Sequence, residues 1–108
     1  MMLTASKERS SRTVQSAIFL YAADMSEVDH QFAQAQERIK AAKNVSNDNL
    51  LALYGLFKQA TVGNVQGSRP GMLDLRGRAK YDAWSRLNGT DSEAAKSQYV
   101  ALVQKLMP

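Results

Sequence analysis

The chain has 108 residues, 44% of them hydrophobic and 22% charged, which suits one small soluble domain whose helices must share a single modest core. It has no cysteine, which excludes a disulfide framework or a thiolate zinc site and fits a reducing, cytoplasmic setting. No run approaches the roughly 20 apolar residues of a membrane span, and a formal charge of +4 with a pI of about 9.6 favours an anionic partner: nucleic acid, a phosphorylated metabolite or an acidic membrane.

Residues 1–24 differ from the rest. Lys7, Arg9, Ser10, Ser11 and Arg12 make a polar, basic start, followed by the short apolar run from Ala17 to Ala23. That order faintly resembles a secretory or transit peptide, but the cleavage pattern is poor and Glu8 and Asp24 weaken the transit reading. Val14, Ile18 and Tyr21 would also form one face of a short docked helix. The preferred reading is a disordered N-terminal extension, from an upstream start or added in cloning. A targeting role or a packed extra helix are the alternatives. Met25 would serve as the start of the domain proper, 25–108.

The first domain helix is predicted to begin near Ser26, where Ser26 and Asp29 fit a capping box. Val28, Phe32, Ala35, Ile39 and Ala42 follow at steps of three and four as its core stripe, with Lys40 and Lys43 off that stripe. Asn44 to Asn49 reads as a connection in which Ser46 or Asn47 caps the second helix. Over Leu50 to Gly63, Leu50, Leu53, Phe57 and Ala60 form one apolar stripe, and Tyr54 and Lys58 stand one turn apart at its edge. A phenol and an ammonium beside an apolar strip suit a ligand both greasy and anionic, although a core tyrosine beside a surface lysine is the plainer reading of spacing alone.

Asn64 to Leu75, with Gly67, Pro70 and Gly71, is the least regular part, and its length suggests a functional loop, a crossover, or both. A third helix is predicted from about Gly77 to Leu87, carrying the large apolar surface of Trp84 and stopped by Asn88-Gly89. Thr90-Asp91-Ser92-Glu93 reads as a second capping box, opening a fourth helix with Ala95, Tyr99, Leu102 and Leu106 inside and Val100, Val103 and Met107 flanking. Nothing reads as a strand. The expected fold class is all-α, a four-helix bundle.

Traces of catalysis are missing. His30 is the single histidine and reads as a surface residue at the start of the first helix; Asp74 and Asp82 read as a surface arrangement. No histidine cluster suits a transition metal, and Gly63, Gly67 and Gly71 match no phosphate-loop pattern. The chain is therefore expected not to be an enzyme and to need neither metal nor cofactor. Arg76, Arg78, Lys80 and Arg86 motivate a nucleic-acid reading, but they make no continuous stripe and no aromatic platform accompanies them. A helix-binding scaffold is the third option.

The residue strings separate these options. Tyr54-Gly55-Leu56-Phe57-Lys58-Gln59-Ala60-Thr61-Val62-Gly63 resembles Y-x-x-[FY]-K-Q-A-T-x-G, the signature of the acyl-CoA-binding protein family. The similarity continues in Arg69-Pro70-Gly71-Met72-Leu73-Asp74, in Lys80-Tyr81-Asp82-Ala83-Trp84 and in Tyr99, and covers roughly residues 28 to 107. It implies an up-down-down-up bundle with an overhand connection between helices two and three. It also implies a non-catalytic carrier, most simply a cytoplasmic monomer, that sequesters and transports medium- to long-chain acyl-CoA without nucleic acid or stable membrane insertion. By the same matching, Lys58 and Lys80 would meet the nucleotide 3′-phosphate, Tyr54 would add a hydroxyl, Tyr99 a ring edge near the adenine, and Lys40 a further basic group at the mouth. Phe57 stands where many relatives have tyrosine, so one polar contact would be absent; Tyr81 replaces a more usual tryptophan, a change expected to alter packing. Leu50, Leu51 and Met72 are candidates for the acyl groove.

Overall fold

The computed structural model describes residues 26–108, so the readings made for residues 1–24 lie outside the described residues. Helix α1 (Glu27–Ile39) starts at the expected capping box: Ser26 Oγ accepts from the Asp29 N–H (3.2 Å) while Asp29 Oδ2 accepts from the Ser26 N–H (3.1 Å). Phe32 and Ala35 are buried and Ile39 packs against them, whereas the helix has ended before Ala42. Ser46 caps α2 (Asn47–Thr61), accepting from the Asn49 N–H at 3.2 Å.

The buried face of α2 is rotated from the predicted stripe. Leu53, Leu56 and Ala60 are buried together with Gly55 and Gln59, while Leu50 and Phe57 are 49% and 37% exposed. The reason is that α2 has two helical neighbours, α3 (Leu75–Ser85) and α4 (Ser92–Leu106), so its core side is wide and includes residues that are not apolar. Gln59, 1% exposed, donates through Nε2 to the Thr90 carbonyl (2.7 Å) and to Asn64 Oδ1 (3.0 Å), joining the two ends of a long excursion of the chain. Gly55 lets α2 and α3 approach closely: a Cβ there would stand 2.7 Å from the Ala83 carbonyl oxygen. Alanine is the better helix former by about 1 kcal/mol, but overpacking costs about 1–3 kcal/mol. Gly55→Ala is therefore expected to lower the urea midpoint, and Gly55→Val to lower it further; a rise for the alanine variant would mean that the helices part freely.

Gly63 ends α2 with a φ of +99°, a left-handed conformation that glycine adopts without strain. The connection that follows is pinned to α3 (Leu75–Ser85) rather than loose. Arg69 grips Asp82 with two hydrogen bonds (2.9 and 2.7 Å), Tyr81 Oη donates to the Gly67 carbonyl (3.0 Å), and Trp84 Nε1 donates to the Gly63 carbonyl (2.6 Å). Helix α3 starts two residues earlier than predicted because Asp74 caps it, accepting from the Gly77 N–H at 2.9 Å. Asp74 and Asp82 thus have separate structural duties.

Helix α4 (Ser92–Leu106) is capped by Asp91, which accepts from the Ala94 N–H at 2.7 Å. The predicted capping box does not form: with Asp91 as the cap, the third helical residue is Ala94, which has no side-chain acceptor to return. Glu93 turns instead to Ser26 and Lys96. Ala95, Tyr99, Val100 and Val103 are buried, with Leu102, Leu106 and Met107 leaning on them. The neighbours in space are α1 with α4, α4 with α2, and α2 with α3. Four helices, with no strand among the described residues, make the up-down-down-up bundle. Its long α2–α3 connection allows those two helices to run side by side.

Among the described residues, two ion pairs join separate parts of the chain. Lys96 on α4 meets Asp29 on α1, and the hydrogen bond from its ammonium holds the Asp29 carboxyl below the usual carboxylate range. The Arg69 guanidinium does the same for Asp82. Depressed carboxyl pKa values contribute stability that is present above the unfolded pKa and lost as pH falls through the folded one. The melting temperature should therefore fall on acidification through and below the ordinary carboxylate range, and an Asp29→Asn/Asp82→Asn protein should show a flatter profile in the same scan. Equal profiles would remove these pairs as the cause.

Candidate functional site

The closeness of α2 and α3 at Gly55 opens towards the start of both helices into a cleft of about 520 Å³. One wall is Asn47, Leu50, Leu51 and Tyr54 from α2; the other is Leu75, Arg76, Ala79 and Lys80 from α3. The sequence builds both walls by the same rule, since residues three and four apart share one helix face. Leu50, Leu51 and Tyr54 do so on α2, as do Arg76, Ala79 and Lys80 on α3. The Lys80 ammonium lies 5.4 Å from the centre of the Tyr54 ring, close enough for a cation–π attraction across the mouth. Apolar side chains line the cleft, two cations and a phenol lie on it, and neither a carboxylate nor a histidine joins them. Such a surface can bind an anion joined to an alkyl chain, but it offers no general base.

The other predicted residues are distributed around this cleft. Lys58, one turn beyond Tyr54, lays its ammonium over the Trp84 ring at 4.9 Å and does not line the cleft wall. Phe57 and Tyr99 meet through Phe32, at 6.2 Å and in an edge-to-face contact at 5.0 Å. Tyr99 is 5% exposed, and burial pushes its phenol up from the ordinary range, so it is neutral and able to donate at physiological pH. Lys40 stands exposed at the end of α1, paired with Glu37 at 3.0 Å. Met72 is 80% exposed on the connection. Asn47, Leu75 and Ala79 were not singled out for the site from sequence. Arg76, read there among the cations of a nucleic-acid face, lines the cleft instead; its four-residue spacing from Lys80 was the available signal.

A second hollow, of about 380 Å³, lies between the end of α2 and the start of α4, around Gln59, Asn64, Thr90 and Asp91. It contains no lysine or arginine, so it suits an anionic ligand poorly. Among the described residues no group of histidine and carboxylates is placed to hold a metal ion. No described helix is long and apolar enough to cross a membrane.

The family model for "Acyl CoA binding protein" matches residues 29–103, which include the whole α2–α3 cleft and most of α1 and α4. The chain belongs to the acyl-CoA-binding protein family. An acyl-CoA-binding protein homolog of Drosophila melanogaster is 46% identical over 81 residues, 74% of this chain and 94% of that protein. An acyl-CoA-binding protein of Ricinus communis is 48% identical over 77 residues, 70% of this chain and 86% of that protein. Among solved structures, acyl-CoA-binding protein 2 of Oryza sativa has a TM-score of 0.72 at 40% identity, covering 74% of this chain and 88% of that one. The protein from Moniliophthora perniciosa has a TM-score of 0.68 at 38% identity, covering 76% and 80%. At these identities the likeness reaches beyond fold. The four described helices and the long α2–α3 connection are thus those of a member of this family.

Proposed function

We propose that residues 25–108 bind acyl-CoA esters of medium to long chain, without catalysis, and sequester and carry them. The observation that supports this most is the cleft in which Tyr54 and Lys80 stand opposite each other beside Leu50 and Leu51. In this reading the alkyl chain lies along the apolar walls. Lys80 and Lys58 meet the 3′-phosphate as compact charges with three donors each. Tyr54 adds a hydroxyl and Tyr99 a ring edge; Phe57 contributes a ring without a hydroxyl, and Lys40 adds charge from the end of α1. Arg76 joins this set as a further cation of the mouth. The protein is taken to act as a cytoplasmic monomer, the site being built within one chain from α2 and α3.

Native mass spectrometry of protein purified without denaturation tests the reading directly. A retained mass equal to one acyl-CoA on one chain is the expected result; a chain that carries no ester, and takes none when titrated, overturns it. The phosphate assignment has its own test. A hydrogen bond to a charged group contributes about 1.5–3 kcal/mol, so Lys58→Ala and Lys80→Ala should each weaken binding about ten- to a hundredfold. Tyr54→Phe should cost less. Both lysines are at least partly exposed, so circular dichroism should show the bundle intact. If both lysine variants bind as tightly as the parent, the phosphate is held elsewhere.

A further inference from the structure

The three most exposed large apolar side chains of the described residues are nearly consecutive: Met72 is 80% exposed, Leu73 wholly so, and Leu75 74%. The backbone that carries them is held. The Asp74 N–H donates to the Gly71 carbonyl at 3.0 Å, its carboxylate caps α3, and Arg69 and Tyr81 fix the preceding residues through Asp82 and the Gly67 carbonyl. The segment therefore keeps its apolar tip exposed instead of folding it onto the core. Contiguous apolar groups of this kind mark a surface that meets a partner.

Charge indicates which partner. Arg76, Arg78 and Lys80 follow directly, and among the described residues none of them is paired with a carboxylate. Asp74 is the one acid between Arg69 and Asp82, and it is engaged at the helix start. We propose that Met72, Leu73 and Leu75, flanked by Arg76 and Arg78, form a docking surface for an anionic lipid bilayer. The apolar tip enters the headgroup boundary while the cations meet lipid phosphate and carboxylate. A second copy of the chain fits less well, because a two-fold contact would bring the same cations face to face. Since Leu75, Arg76 and Lys80 also line the cleft, docking brings its mouth against the layer in which a long acyl chain dissolves. This last point rests on the proposed function; the docking itself is testable without ligand.

The test is flotation of the full, ligand-free chain with vesicles of phosphatidylcholine, with and without phosphatidylserine. The parent should float with the anionic vesicles at low salt and be released as salt rises. Leu73→Ser should lower the partition coefficient about tenfold, and Arg78→Gln about fivefold. Leu73 is wholly exposed and lines no cleft, so its variant should keep the parent's melting temperature and acyl-CoA titration. No flotation by the parent overturns the proposal, and so does flotation that Leu73→Ser leaves unchanged. A dimer in sedimentation that Leu73→Ser splits, or a Leu73-dependent complex with an acidic protein in place of lipid, overturns it as well. Lost flotation with intact ester binding removes the docking surface alone, whereas intact flotation with no ester binding removes the carrier reading alone.

Discussion

Trp84→Ala is expected to destabilise the domain by about 3–5 kcal/mol, the usual range for removing a buried tryptophan. The side chain is 8% exposed and supports two other groups. Its Nε1–H satisfies the carbonyl of Gly63, where the connection leaves α2, and its ring carries the Lys58 ammonium. Against a total of about 5–15 kcal/mol for a domain of this kind, the loss is a large share. Urea unfolding followed by circular dichroism checks it, since the variant removes the chain's one tryptophan fluorophore. Trp84→Phe should fall between, keeping much of the packing while leaving the Gly63 carbonyl without its donor. A loss below about 1 kcal/mol for the alanine variant would place Trp84 outside the range expected of buried aromatics.

In calorimetric titrations, affinity is expected to climb steeply with acyl length, with free coenzyme A by far the weakest ligand. Burying alkyl chain contributes about 0.8 kcal/mol per CH₂, so each added pair of methylenes should tighten binding by up to about tenfold. A dozen shielded methylenes outweigh two or three phosphate contacts at about 1.5–3 kcal/mol each, even after the cost of ordering the chain is subtracted. The gain should stop when the chain outruns the apolar walls around Leu50, Leu51 and Ala79. Equal affinity for coenzyme A and its palmitoyl ester would sink this account, because the cleft would then be reading the nucleotide alone.

Much of this architecture is legible in the residues themselves. Ser26 with Asp29 and Ser46 mark helix starts through chemistry that acts within one turn, so local sequence suffices to find them. The buried face of α2 is not legible in the same way. Gly55 and Gln59 carry no apolar signal, yet one is buried because it lets a neighbouring helix approach and the other because its amide bridges Asn64 and Thr90. Reading apolar spacing alone therefore rotates the stripe towards Leu50 and Phe57. The early start of α3 was hidden by an aspartate that looks like part of a loop until its acceptor role at Gly77 is seen. Within the candidate site, spacing already points to Tyr54 and the resemblance adds Lys80, but their pairing across two helices, and that of Lys58 with Trp84, arises only from the packing of α2 on α3.

The spatial order of the helices also bears on how the chain is made. Helix α1 packs on α4, and among the described helices these two are made first and last. During translation α2 and α3 can join as soon as residue 85 is free, whereas α1 lacks its main support until residues 92–106 have left the ribosome. An amphipathic segment with Phe32 and Ile39 exposed must wait through that interval. The emerging polypeptide is thus open to chaperones at α1 throughout that interval, and closure of the bundle is set by arrival of α4.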